Sequence, residues 1–287
     1  MDLEAISGAA TVALTSTVVF LLIAKTWNAV SRTIGSTPSF SDRIMHEAAQ
    51  GFRDELDRLT CSQSTYLSAV LVFLTLFFSA YLLRAEILFA GYPSWQINLQ
   101  LGLSALVSGY AVLCLVKIAR ARYQIKFLRD ANIAVGHQLQ QLSGEDTRVF
   151  HDVGTSAGVV DHVIIGQKGL YAINVVARRS GKRAQARLRD NAIQYSNSKL
   201  SQSIIDITAK TTRLQKEFRE ILGHNVRVRS VIALPGWDIG EQPKADHLLV
   251  NERNLAMLSG WKDQSDYLMN EDVAALQKEL KSRCARG

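Results

Sequence analysis

Cysteine is scarce in this chain: three in 287 residues, Cys61, Cys114 and Cys284, widely separated. An odd, scattered set excludes a disulfide framework and a Cys-x-x-Cys metal site. It agrees with a reducing compartment for the C-terminal part. No internal repeat or low-complexity tract is present. The leader "MDLEAIS" has no Lys or Arg, whereas a secretory signal peptide needs a basic start, so the first apolar run is read as an uncleaved anchor. Charge itself is missing from three long runs, Ala5 to Ala24, Leu59 to Leu83 and Ile87 to Val116, and beyond Lys117 the composition is that of an ordinary globular domain.

A helix crosses about 30 Å of hydrocarbon with roughly 20 apolar residues. By that measure residues 6–24, 66–83 and 98–116 are three expected transmembrane helices, the last two separated by "RAEILFAGYPSW". Bases set the orientation. Lys25, Arg32, Arg43, Arg53 and Arg58 follow the first span, Lys117, Arg120, Arg122, Lys126 and Arg129 follow the third, and only Arg84 follows the second. The expected topology is multi-pass in an inner (cytoplasmic) membrane, N-terminus out and C-terminal domain in the cytoplasm. On the third span Ser104, Ala105, Ser108 and Gly109 form two small-xxx-small pairs, which serve either dimerisation or packing against the chain's own spans.

The expected division is 1–25 for the tail and first span, 26–65 for a cytoplasmic amphipathic linker, and 66–83 and 98–116 for the other spans. A basic juxtamembrane linker, 117–130, then leads to a domain over 131–287. Within the first linker Ile44, Ala48, Phe52, Leu56 and Leu59 recur at helical spacing, with Ser41 as a plausible N-cap. The bases of 117–130 also suit anionic lipid headgroups, at about 1 kcal/mol each near the surface.

The pattern of the last part is α+β. "ANIAVGHQLQQL" reads as a helix with Ile133, Leu139 and Leu142 on one side. Residues 148–153, 158–166 and 169–179 read as strands rich in Val and Ile, with "GQKG" (166–169) as a hairpin turn. A polar-rich helix is expected at about 196–222, a buried strand at 226–236, and two amphipathic helices beyond Asn251. Asp161 and Asn174 are polar residues in apolar strands. An unpaired buried carboxylate is costly, so Asp161 faces either a pocket, cation or donor, or else a sheet edge and water, by way of His162 or Arg178.

The segments "AVGHQLQQL", "RVFHDV", "VDHVIIGQKGLYAINVVARR" and "VIALPGWDI…LLVN" resemble, over roughly Ile133 to Asn251, the NERD (nuclease-related) domain of the PD-(D/E)XK nuclease superfamily. The resemblance implies a mixed β-sheet flanked by helices. In active members an acid on the second strand and Glu-x-Lys on the third, with a further helix Glu, hold a divalent cation that activates water, while the lysine stabilises negative charge. Matched residue by residue, the first acid is Asp161, the Glu position is Asn174, the Lys position is Val176, and the helix position is Gln138 or, one residue off, His137. Three of the four polar roles have lost their charge. Hard divalent cations favour carboxylate oxygens, so the resemblance implies a degenerate catalytic motif, with Asp161 a weak metal ligand and no resident cofactor. The alternative is an active endonuclease using magnesium or manganese at a rearranged site, Arg178 reaching toward the lost lysine's place.

The run "RRSGKRAQARLR" carries Arg178, Arg179, Lys182, Arg183, Arg187 and Arg189. Six bases in twelve residues beside a former nuclease cleft suit phosphate contact, and the lack of interleaved aromatics argues against base stacking. The expected partners are membrane lipid, nucleic acid through 178–189, possible protein partners, and a second copy through the third span. A purely structural role in a membrane assembly is the remaining alternative.

Overall fold

The computed structural model describes residues 3–34, 45–82, 93–144, 147–179, 181, 184–189, 191–240, 246–260 and 267–284. Contacts divide the chain into two units, 1–39 with 55–125, and 40–54 with 126–287.

The first unit is helical, built from α1 (Leu3–Ile34) and the greater parts of α2 (Gln50–Leu82) and α3 (Ser94–Gln140). Its burial pattern is the reverse of a water-soluble bundle. Small residues are inside, with Ala9, Ala10, Ala13, Ala69 and Ala80 buried, while Leu22, Ile23, Leu71, Phe78, Leu106 and Leu113 are each about 60% exposed or more. Among the described residues two segments are long and apolar enough to cross a membrane, Gly8–Trp27 and Gln50–Tyr81. The expectation of three spans is corrected to two candidates: residues 98–116 are helical within α3, but several of their side chains fall outside the described residues.

Two expected boundaries dissolve. The amphipathic helix of 26–65 and the second span are one continuous helix, α2, because no glycine or proline interrupts the chain between Phe52 and Leu82. Likewise the third span, the basic linker 117–130 and the helix after it form the single 47-residue α3. Ser41 and most of the loop 84–95 lie outside the described residues, and α2 starts nine residues after Ser41.

The second unit has two sheets. The larger one has five strands in the order β1 (Thr147–Thr155), β2 (Gly158–Gly166), β3 (Gly169–Val175), β7 (Val228–Ala233) and β9 (His247–Val250). The hairpins β1–β2 and β2–β3 are antiparallel, and β3–β7 and β7–β9 are parallel, so the sheet is mixed. The turn between β2 and β3 pairs Gly166 with Gly169, and Gly169 takes φ 137°, a conformation closed to residues with a Cβ. The smaller sheet was not expected. It runs β6 (Gln202–Ser203), β5 (Ala192–Tyr195), β4 (Gln185–Arg189) and β8 (Asp238–Ile239). It takes up residues expected as a basic loop and as the start of the long helix, so α4 begins at Ile205 and runs to Leu222, ending on Gly223 in the left-handed region. The chain closes with α5 (Met257–Gly260) and α6 (Asn270–Arg283).

Alternation of side chains gives the large sheet two apolar faces. Phe150, Val163, Ile165, Leu170 and Ala172 pack against Leu214 and Phe218 of α4 and Leu276 and Leu280 of α6. Ile164, Tyr171, Ile173 and Val231 pack against Val135 and Leu139 of α3 and Leu258 of α5. The buried stripe of α3 is therefore Ala131, Val135 and Leu139 rather than one containing Ile133, which is only half-buried.

Candidate functional site

Asp161 and Asn174 occupy opposing positions of the β2–β3 hairpin, one step beyond the last pair, His162 with Ile173. Both share the face that carries Val163 and Ala172, toward α4. The ladder stops there because the Asp161 carboxylate replaces it: Val175 N–H donates to Asp161 Oδ2 at 2.7 Å. Desolvation pushes the Asp161 carboxyl up to about 6, against the opposing pull of that N–H and of Lys210 on α4; the like charge of Asp152 adds to the rise. Asn174 is buried, and neither its Oδ1 nor its Nδ2 has a hydrogen-bond partner. A buried amide with both ends unmet is unusual and costly.

The other positions of the expected motif do not join this pair. Val176 is buried among Ala184, Ala186, Ile232 and Trp237, and its backbone N–H donates to Ala233 O at 2.8 Å. Gln138 is half-buried on α3, which covers the opposite face of the sheet, and makes no hydrogen bond to Asp161 or Asn174; His137 is exposed. Arg178 lies past the end of β3, and its guanidinium sits 4.3 Å from the centre of the Tyr195 ring. Its carbonyl accepts the Trp237 indole N–H at 2.8 Å. Among the described residues no group of three or more His, Cys, Asp or Glu side chains is placed to hold a metal ion. One carboxylate facing an amide is a poor fit to a hard divalent cation.

Lys210, Asp152 and His151, all passed over in the sequence, matter here. Lys210 lies across Gly158, where a Cβ would come within 3.0 Å of its Cε, and it is the base that favours the charged form of Asp161. Asp152 stands opposite Asp161 in the β1–β2 register, with φ 51°, and its Oδ2 accepts Gly51 N–H at 2.9 Å. His151 and His162 pair across β1 and β2 with their Nδ1 atoms 2.8 Å apart and their rings perpendicular. Burial holds both imidazoles below the usual histidine range, His162 at about 3, where His151 adds to the depression. Only hairpin register, drawn out strand by strand, would have found the last two.

The basic run is divided by the fold. On β4 the exposed residues Gln185, Arg187 and Arg189 alternate with buried Ala186 and Leu188, so the two arginines share the outer face of the small sheet. Arg179 is exposed, with its guanidinium carbon 5.9 Å from the Phe127 ring centre. Lys182 and Arg183 lie outside the described residues.

No curated protein gives a significant match. Among solved structures, SfsA of Pyrococcus furiosus in complex with Ca2+ is similar at 15% identity over 56% of this chain and 54% of that one, with a TM-score of 0.21. The alignment thus spans about half of each chain, and a score that low carries no structural argument. A family model does match: residues 129–235, which include β1 to β7, are similar to the NERD family, described as a nuclease-related domain.

Proposed function

We propose that the chain is a membrane-anchored, nuclease-like module with an impaired metal site, which binds nucleic acid at the cytoplasmic membrane face. The observation that carries the impairment is the pairing of Asp161 with Asn174: the one carboxylate at this position is opposed by a neutral amide, and Val176 is consumed by the core. Two carboxylates are what a nuclease metal needs to polarise phosphate and ionise water. Anchoring is supported by the exposed large apolar residues and buried alanines of the helical unit, since apolar patches of that extent are not left in water. Nucleic-acid binding is supported by Arg187 and Arg189 on one exposed strand face. The test is incubation of the purified full chain with plasmid DNA and RNA in magnesium and in manganese, beside a binding titration in rising salt. Salt-sensitive binding without cleavage supports the proposal, and metal-dependent cleavage abolished by Asp161→Ala overturns it.

A second reading, an active endonuclease with a rearranged site, has one observation in its favour. Lys210 supplies from α4 a base next to Asp161, where the third strand no longer carries one. On that reading Lys210→Met abolishes cleavage and leaves binding intact.

A further inference from the structure

A groove of about 570 Å³ runs along the exposed side of α4. It is lined by Ala157 of the β1–β2 turn, by Asn191, and by Thr208, Thr212, Arg213 and Lys216 of α4. Ile205 and Ala209 add exposed apolar surface to the lining. Among the described residues, none that lines it is acidic.

The polar groups here are available. Lys216 and Thr212 are exposed and make no hydrogen bond or ion pair among the described residues. Arg213 gives its Nε–H to Glu217 Oε1 at 3.1 Å, which leaves the outer guanidinium N–H groups for another acceptor. Glu217 is itself buried and neutralised from the other side by Arg283 at 2.6 Å, so it adds little negative field to the groove. Two of the lining residues are near neighbours in sequence of residues already described. Ala157 precedes Gly158, over which Lys210 lies, and Asn191 follows Arg189 after one residue.

The geometry points to this groove as a binding track for the phosphodiester backbone of a nucleic-acid strand, an inference that rests on the nucleic-acid reading above. Lys216 and the free side of Arg213 meet phosphate oxygens, Thr212 donates its hydroxyl, and the exposed Ile205 and Ala209 lie against sugar. Backbone contacts of this kind carry no sequence preference. They release counterions, so each adds about 1 to the slope of log affinity against log salt.

The experiment measures anisotropy of fluorescein-labelled single-stranded and duplex oligonucleotides with the full chain in detergent, across a salt series. Three proteins are compared: wild type, Thr212→Glu/Lys216→Glu, and Arg187→Glu/Arg189→Glu. Both pairs are exposed, and an unchanged melting temperature shows that each variant is folded. At least a tenfold loss of affinity in the α4 variant, with a salt slope lower by about 1 or more, is the expected result. Unchanged affinity in the α4 variant, with loss in the β4 variant, overturns the groove and leaves the nucleic-acid reading standing. Absence of binding by wild type overturns both.

Discussion

The side chain that departs most from ordinary packing is the Asp161 carboxyl. Its value of about 6 means that the folded state holds its proton more tightly than the unfolded chain does. The sign follows: between about 4 and 6 folding is favoured by falling pH, and above about 6 the full cost of the buried charge is present, on the order of 3 kcal/mol. Asp161→Asn keeps an acceptor for Val175 N–H and removes that cost, so its melting temperature should exceed that of wild type at pH 7.5 and converge with it near pH 4. His162 works the other way. Held at about 3 when folded, it contributes stability that is complete above about 6.5 and is lost as pH falls through that window. The two slopes oppose each other between pH 4 and 6, so Asp161→Asn should show a steeper acid loss than wild type in a thermal melt series; parallel curves would refute the raised Asp161 value. At Val176 the surrounding apolar side chains predict a heavy cost for the residue that the nuclease motif would place there. Val176→Lys buries an ammonium without a partner and should lower stability by several kcal/mol, visible as a large drop in denaturation midpoint.

At the scale of elements, residues 45–51, which lead into α2, are held to the domain at three points. His46 N–H donates to Cys284 O at 2.8 Å, Gly51 N–H to Asp152 Oδ2, and Ala48 lies where a Cβ on Gly136 would come within 2.5 Å. Gly136→Ala should therefore force α3 and this segment apart at a cost of about 1–3 kcal/mol, with faster amide exchange at 45–51; unchanged exchange there would show that the approach is not tight. This is also where the sequence was least legible. The three main strands and the hairpin were readable because Val and Ile run between well-placed glycines, and "VVDHVII" and "GLYAINV" placed Asp161 and Asn174 on neighbouring strands, while their register comes from the structure. Helix ends within α2 and α3 were not, since a helix carries straight on from polar to apolar sequence without a break residue. The small sheet was hidden because β4 reads as a charged loop: its arginines alternate with only two buried residues, Ala186 and Leu188, too few to give a period. Lys210 escaped because its meaning is tertiary, depending on the absent side chain of Gly158 and not on any local pattern.

For the molecule as a whole, the helical unit exposes large apolar residues, whereas the second unit packs its own into three clusters. Leu71 is 67% exposed midway along α2, and on the membrane reading it faces lipid. Leu71→Lys should then cost about 2.5–3.5 kcal/mol of insertion and shift protein from the membrane pellet to the soluble fraction after alkaline extraction, whereas a soluble bundle would tolerate a lysine at so exposed a site. The proposed function turns on one pair in the second unit, Asp161 facing the neutral Asn174. The most direct measurement is calorimetric titration of manganese into the full chain in detergent, for wild type and for Asn174→Glu. The account predicts no saturable binding by wild type and the appearance of binding when the second carboxylate is restored. Saturable binding by wild type that Asp161→Ala abolishes would contradict it.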